Sequence, residues 1–213
     1  MITIVDYNAG NLRSVLRACQ AVGAEAVITQ DADAVARAER VIFPGVGAAY
    51  SAMVTLRATG LDAALRTAFE RGTPILGICL GTQVILEESE EVDEAGGGAT
   101  GAITPCLGIL GGRVVRFRPT DPSQKVPHMG WNAVDFEREH PVLAGIPSGV
   151  EFYFVHSFHP AGLAAENVVG TTEYATRFCS ILGHGNLIAT QFHAEKSGRF
   201  GLRLIENFTK WRP

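Results

Sequence analysis

The chain has no long apolar run and no excess of positive charge. Its 213 residues include 18 Lys and Arg against 22 Asp and Glu, a net charge of −4, which argues against a nucleic acid held by a basic surface. No apolar run approaches the about 20 residues that a membrane span needs. The segment Met1–Asp6 has the pattern of a strand and lacks the charged leader and cleavage site of a signal peptide. We therefore expect a cytoplasmic protein without nucleic-acid or membrane partners.

The sequence also lacks paired cysteines. Its four cysteines lie far apart, without a CxxC pair and without a histidine at metal-ligand spacing, so we expect no disulfide, no metal and no other cofactor. Cys19 falls on an apolar helical stripe, Cys179 lies in a strand-like run, and Cys106 follows a glycine-rich loop. Only Cys79 stands in a special setting.

The hydrophobic pattern predicts an α/β protein. Short apolar strands at residues 2–5, 26–28, 41–43 and 74–78 alternate with helical patterns at 11–22, from about 31, and at 61–69. Strands that are apolar throughout, between amphipathic helices, indicate an open, mostly parallel sheet covered by helices on both faces. Catalytic residues of such a fold lie at the carboxyl ends of the strands, where Cys79 falls.

The second half of the chain has a different pattern. After a predicted loop at 92–104 come closely spaced strand-like runs, and a predicted helix at 197–211 closes the chain. The runs lie at 113–117, 132–136, 151–155, 168–172, 178–182 and 187–192. Strands with few helices between them indicate antiparallel strands added to the parallel core. Without an internal repeat or a linker, residues 1–213 are expected to form a single domain.

The cysteine between two glycines, Gly77-Ile78-Cys79-Leu80-Gly81, is typical of a nucleophile elbow. A sharp strand-to-helix turn needs neighbours without bulk, so that one side chain can project from it. A helix predicted at 80–88 would aim its N-terminal dipole at the sulfur and favour the thiolate. The alternative is a buried core cysteine followed by a turn.

A cysteine nucleophile needs a base and a group that orients the base. Of the six histidines, His193 ends an apolar strand and is followed two residues later by Glu195. In extended backbone these two side chains point the same way. The alternative is a surface pair at a strand-to-helix junction, with Glu195 placed for dipole reasons.

An oxyanion site is predicted where the strand at 41–43 breaks into Pro44-Gly45-Val46-Gly47. Two glycines let backbone N–H groups turn into a cleft. The N–H of Leu80, directly after the nucleophile, is a second donor. The alternative is an ordinary strand-to-helix turn.

These three pieces, in this order, resemble the oxyanion strand, nucleophile elbow and His/Glu pair of the class I (triad-type) glutamine amidotransferases, a flavodoxin-like α/β fold. Within that class, four further segments resemble the glutaminase subunits of imidazole glycerol phosphate synthases, which belong to histidine biosynthesis. The segments span residues 6–14, 127–132, 152–157 and 171–174.

The resemblance implies a glutaminase with a Cys79, His193 and Glu195 triad. Cys79 would attack the glutamine side-chain amide, and His193, oriented by Glu195, would protonate the departing ammonia. Main-chain donors near Val46, Gly47 and Leu80 would hold the oxyanion. The family residues that hold glutamine match Gly45, Gln83, Glu91, Ser157 and Phe158.

The resemblance also implies a partner. The ammonia would pass to a (β/α)8-barrel synthase subunit of the HisF type, which forms imidazole glycerol phosphate and AICAR from PRFAR. Residues implied to face that partner are Asn11, His128, Met129, Trp131, Asn132 and Lys196. Trp131 is a plausible anchor because aromatic side chains dominate interface hot spots.

Two features depart from the family pattern. Ala194 replaces the usual proline between the catalytic His and Glu, and the stretch Gly96–Gly101 resembles an insertion close to Glu91. Three alternatives stay open: a glutaminase of the same class serving GMP, pyridoxal phosphate or anthranilate synthesis, a stand-alone γ-glutamyl hydrolase, and a non-catalytic regulatory subunit. The segment His128–Asn132 argues against the first, and the intact triad argues against the third.

Overall fold

A computed structural model describes residues 1–92 and 102–213. The helices of this part are α1 (Leu12–Ala21), α2 (Ala32–Ala36), α3 (Ala49–Thr59), α4 (Leu61–Glu70), α5 (Leu80–Val84) and α6 (Gly198–Lys210). The strands are β1 (Ile2–Val5), β2 (Ala26–Thr29), β3 (Val41–Gly45), β4 (Ile75–Cys79), β5 (Glu88–Ser89), β6 (Thr104–Pro105), β7 (Arg113–Arg116), β8 (His128–Ala133), β9 (Asp135–Phe136), β10 (Glu151–His156), β11 (Phe158–Ala161), β12 (Val168–Tyr174), β13 (Thr176–His184) and β14 (Leu187–Thr190). None of the helices described is long and apolar enough to cross a bilayer.

The centre of the molecule is an eight-stranded sheet in the order β2-β1-β3-β4-β14-β13-β12-β9. Neighbours from β2 to β14 pair in parallel, and β13, β12 and β9 continue the sheet antiparallel. One buried cluster lies between the sheet and helices α2, α3 and α4, and a second includes residues of α1 and α6. The predicted α/β fold, a mostly parallel sheet with helices on both faces and added antiparallel strands, is confirmed.

Two smaller sheets flank the centre, with the orders β10-β8 and β11-β7-β5-β6. The single strand predicted at 132–136 is wrong, because its two ends belong to different sheets: β8 pairs with β10, whereas β9 pairs with β12. The break falls at Val134, which is fully buried and whose N–H donates to the Val150 carbonyl at 3.1 Å.

The helix after Cys79 is shorter than the predicted 80–88. It ends at Val84, and the chain then enters β5. N–H groups of Leu107, Gly108 and Ile109 donate to the carbonyls of Val84, Leu86 and Ile85 at 2.7 to 3.0 Å. These long-range bonds take the carbonyls that a second helical turn would have used.

The structure also differs around the predicted loop at 92–104. Thr104 and Pro105 form β6 and pair with β5. The glycine-rich stretch 96–101, interpreted as an insertion, lies outside the described residues.

Candidate active site

Cys79 occupies a strained turn between β4 and α5. Its φ of 54° and ψ of −106° are values that a residue with a side chain rarely adopts. The flanking glycines are required by close packing: a Cβ on Gly81 would overlap the carbonyl of Phe43, and one on Gly77 would lie 2.7 Å from the Cβ of Ala189. The elbow therefore has the geometry that its sequence predicts.

His193 and Glu195 form a buried pair. The His193 Nδ1 lies 2.7 Å from Glu195 Oε1, and both side chains are almost completely buried. The sequence predicts that extended backbone brings the two side chains together. The structure differs, because residues Ala194–Lys196 form a 3-10 turn. The alternative of a surface pair is excluded by this burial.

The backbone of His193 is held on both sides. Its N–H donates to the Tyr153 carbonyl at 2.9 Å, and its carbonyl accepts from the Ser197 hydroxyl at 2.6 Å. Ala194 is buried in this turn. The turn is thus fixed by hydrogen bonds although Ala194 lacks the ring of a proline.

Burial alone would lower the pKa of His193, but the charges of Cys79 and Glu195 outweigh it and raise that pKa to about 10. Because Nδ1 faces Glu195, Nε2 is the nitrogen left for Cys79. The Nε2 atom is buried and makes no hydrogen bond within the described part of the chain. The raised pKa favours an imidazolium at His193.

Asn11 contacts this pair from the loop before α1. Its Nδ2 donates to Glu195 Oε1, the same oxygen that faces His193. The residue has a left-handed backbone with φ of 76°. The sequence assigns Asn11 only to the partner surface and does not predict its contact with the Glu195 carboxylate.

A cavity of about 310 Å³ opens beside Cys79. Its lining comprises Val46, Gly47, Cys79, Leu80, Gln83, Glu91, Val155, His156, Ser157 and Phe158. All the residues predicted for the oxyanion and for glutamine are in this set except Gly45, which pairs with Cys79 in the β3–β4 register. The volume is near the lower end of small-ligand pockets, which suits one amino acid.

Gln83 and Glu91 already have partners inside the protein. Gln83 Nε2 donates to the Phe158 carbonyl at 2.9 Å and to Gln191 Oε1 at 3.1 Å. Glu91 Oε2 accepts from the N–H of Ala49 at 3.0 Å, at the start of α3. Both side chains are therefore positioned at the cavity by the fold.

Two residues near the thiol were missed by the sequence analysis. Gln191 is fully buried and places Nε2 3.8 Å from the Cys79 Sγ; an amide in an otherwise apolar strand end was the available signal. Tyr7 is also buried, and its hydroxyl makes no hydrogen bond among the described residues. Burial first, and then the Cys79 charge, raise the pKa of Tyr7.

The segment assigned to a partner alternates along β8. Met129 and Trp131 are 63% and 53% exposed, whereas His128 is only 3% exposed. The His128 side chain points into the fold, because successive side chains of a strand point to opposite faces, and the assignment of this segment to a partner surface stays a prediction. Asn132 is half-buried and donates to the Glu173 carbonyl at 3.1 Å.

Trp131 belongs to what we call the exposed patch, which comprises the exposed side chains of Met129, Trp131 and Lys196 together with the half-buried Tyr153. The Trp131 and Tyr153 rings lie 6.1 Å apart, and the Lys196 ammonium lies 6.0 Å from the Tyr153 ring. The patch lies next to the triad in sequence, since Lys196 follows Glu195. Within the described residues, no group of three or more His, Cys, Asp or Glu is arranged to hold a metal ion.

Known proteins are similar to this chain in sequence and in fold. The chain is 46% identical to imidazole glycerol phosphate synthase subunit HisH of Dehalococcoides mccartyi (strain CBDB1), over 99% of this chain and 97% of the relative. It is 47% identical to the protein of the same name from Nitratidesulfovibrio vulgaris (strain DP4), over 99% and 96%. A solved structure of PurLQS from Thermotoga maritima has the same fold, with a TM-score of 0.71 and 18% identity over 98% of this chain and 97% of that chain. The model of the family "Glutamine amidotransferase class-I" matches residues 3–211, and the chain therefore belongs to the class I glutamine amidotransferases.

Proposed function

We propose that this chain is the glutaminase subunit of an imidazole glycerol phosphate synthase, acting as a single domain. The observation that carries the proposal is that the strained Cys79 elbow lines a cavity and interacts with the buried His193, which in turn pairs with Glu195. The full-length similarity to relatives of that name supports the choice among class I glutaminases.

In the first half-reaction, the Cys79 thiolate attacks the side-chain amide carbon of glutamine. The tetrahedral oxyanion forms beside Val46, Gly47 and Leu80, whose N–H groups are the proposed donors. His193 gives the proton on Nε2 to the amide nitrogen, the C–N bond breaks, and ammonia leaves. The product is a γ-glutamyl thioester on Cys79.

In the second half-reaction, His193 takes a proton from water, and the resulting hydroxide attacks the thioester. The C–S bond breaks, the product leaves as the side-chain carboxylic acid and loses its proton to solvent to become glutamate, and His193 keeps the proton taken from water beside the restored thiolate. Glu195 keeps Nδ1 protonated through both steps, so that Nε2 does the proton transfer.

The glutamine itself is proposed to lie among Gln83, Glu91, Ser157 and Phe158, with Gly45 shaping the wall beneath Cys79. The Glu91 carboxylate is suited to the α-ammonium group, and main-chain groups of Ser157 and Phe158 to the polar ends of the substrate.

The partner is proposed to be a (β/α)8-barrel synthase that receives the ammonia. The exposed patch is suited to this role because it combines an exposed Trp and Met with a cation beside an aromatic ring. Asn11 and Asn132 would border that interface through their backbone. We also propose a cytoplasmic location, where the other enzymes of histidine biosynthesis would supply the ribulosyl substrate of the partner.

The experiment measures glutamate release by the chain alone and with the barrel synthase and its ribulosyl substrate. We expect a low rate alone and a large increase in the complex; equal rates would refute the coupling. Cys79→Ala is expected to abolish glutaminase activity while the complex still uses added ammonium salt. Glutaminase activity retained in Cys79→Ala would remove Cys79 from the mechanism.

A further inference from the structure

Two buried histidines that the proposed chemistry does not use form a chain of hydrogen bonds. Asn132 Nδ2 lies 3.2 Å from His128 Nε2, and His128 Nδ1 lies 2.9 Å from His156 Nε2. His156 Nδ1 lies 2.7 Å from the carbonyl of Phe158. The chain therefore begins on β8, beside the exposed Trp131, and reaches the cavity at Cys79.

The direction of every bond in this chain is determined by its two ends. Asn132 Oδ1 accepts from the N–H of Ala133 at 2.8 Å, and Nδ2 donates to the Glu173 carbonyl, so Nδ2 is the donor toward His128. At the other end, a carbonyl only accepts. His128 and His156 must then both be neutral and carry their proton on Nδ1. Burial agrees with this assignment, since it lowers the pKa of His128 to about 4 and that of His156 to about 3.

The Phe158 carbonyl joins this chain to the thiol. It accepts from His156 Nδ1 and also from Gln83 Nε2, which in turn donates to Gln191 Oε1. Gln191 Nε2 lies 3.8 Å from the Cys79 Sγ. Four of these residues, Cys79, Gln83, His156 and Phe158, line the same cavity.

We propose that Asn132, His128 and His156 are positioning residues of the glutaminase. They hold the Phe158 carbonyl, and through it the amides of Gln83 and Gln191, in the place that substrate binding at Cys79 requires. Since the chain starts beside the exposed patch, a movement of β8 is transmitted to the cavity wall. This inference rests on the proposed function, because it assigns a role within glutamine binding.

Three substitutions of His156 separate hydrogen bonding from packing. His156→Phe keeps a ring among Phe117, Phe154 and Phe178 but removes both bonds. His156→Asn places an amide where Nδ1 stood and restores the donor to Phe158. His156→Gln reaches toward His128 and leaves the Phe158 carbonyl without this donor.

His159→Phe is the matched control. His159 is buried in the same cluster, with its ring 4.5 Å from that of Phe117, and its Nδ1 lies 3.0 Å from the carbonyl of Pro160. The His159→Phe variant therefore loses a similar hydrogen bond from an imidazole ring to a carbonyl, but one that is not part of the hydrogen-bonded chain leading to Cys79.

The assay labels Cys79 in the full chain with 6-diazo-5-oxo-L-norleucine, a diazo-ketone analogue of glutamine. It yields an inhibition constant for binding and a rate constant for alkylation, and the glutamine KM and kcat are measured in the assembled synthase. We expect His156→Phe and His156→Gln to raise the inhibition constant and KM about tenfold, with a smaller effect on kcat. His156→Asn should recover most of that loss, and His159→Phe should stay within about threefold of the unsubstituted protein.

Two further measurements complete the test. Asn132→Ala should weaken binding of the label in the same sense, and nitrogen NMR should find both His128 and His156 as Nδ1–H tautomers at neutral pH. Equal effects of His156→Phe and His159→Phe, no recovery in His156→Asn, or Nε2–H tautomers would overturn the proposal. Loss of glutaminase activity in Cys79→Ala would still support the proposed function in that case. Failure of the positioning role can therefore be distinguished from failure of the proposed function.

Discussion

Glu195→Gln tests how the charge of the Glu195 carboxylate contributes to glutamine hydrolysis. Asn11 Nδ2 and His193 Nδ1 both face the same oxygen of Glu195. Because both neighbours are donors, a glutamine at this position must direct its carbonyl oxygen toward them. The substitution should therefore keep the His193 tautomer and remove the charge, while it places an NH2 group where the buried Glu195 Oε2 makes no hydrogen bond among the described residues.

The magnitude follows from the two kinds of hydrogen bond. A bond to a buried charged group contributes about 1.5–3 kcal/mol, and a neutral one about 0.5–1.5 kcal/mol. Loss of the charge at the 2.7 Å contact between His193 and Glu195 should thus cost about 1–2 kcal/mol of transition-state stabilisation, or roughly 5- to 30-fold in kcat. Glu195→Ala removes the acceptor for both donors and should cost about 3 kcal/mol or more, over a hundredfold.

The assay is steady-state glutamate release by the assembled synthase, with histidine NMR to follow His193. The pKa of His193 should fall in Glu195→Gln, because one of the charges that raise it is removed. Glu137→Gln is the control, since Glu137 accepts hydrogen bonds from Thr171 and Arg177 on the protein surface. If Glu195→Gln were as inactive as Glu195→Ala, the argument from the shared oxygen would be wrong; if it were fully active, the charge would have no role.

Three further predictions concern packing at Gly81, binding of the partner and the pH dependence of stability. Gly81→Ala should lower the free energy of unfolding by about 3 kcal/mol or more in urea titrations, because its Cβ would overlap the Phe43 carbonyl; Gly23→Ala, at φ of 73° in open space, should cost only about 1 kcal/mol, and equal losses would contradict the packing argument. Trp131→Ala should weaken association with the barrel subunit by about 2 kcal/mol, roughly 30-fold by calorimetry, with less than about 0.5 kcal/mol effect on unfolding; unchanged affinity would exclude the anchor role. As pH falls from 6.5 toward 4, unfolding should become easier, because the unfolded chain takes up protons that buried His128 and His156, with pKa lowered to about 4 and about 3, do not. His156→Phe should reduce that slope by up to about 1.4 kcal/mol per pH unit, and an unchanged slope would show that His156 is not buried neutral.

The parallel half of the fold and the triad could be predicted from the sequence because their signals are local. An apolar strand followed by Gly-x-Cys-x-Gly requires the turn that Cys79 occupies, and His193 and Glu195 are close in sequence. Helix α3 (Ala49–Thr59) was not predicted, since its buried face includes the small residues Ala49 and Ala52 and has little contrast with the exposed face.

What the sequence could not provide depends on contacts between distant segments. The end of α5 is determined by the N–H groups of Leu107 to Ile109, and Asn11 reaches Glu195 across 184 positions of the chain. The burial of His128 depends on the β8 register against β10, where it pairs with His156. The hydrophobic periodicity of a single segment carries no information about contacts with such distant segments.

The backbone at Cys79 bears on how this position can change over evolutionary time. Its φ of 54° with ψ of −106° holds about 1–3 kcal/mol of strain, against a total stability of about 5–15 kcal/mol for an ordinary domain. Glycine would relieve that strain and stabilise the fold. Selection for stability alone therefore drives this position toward glycine, and the proposed role of Cys79 as the nucleophile opposes it. In a descendant that no longer needs glutamine hydrolysis, the single replacement Cys79→Gly would abolish the activity and raise the stability of the fold.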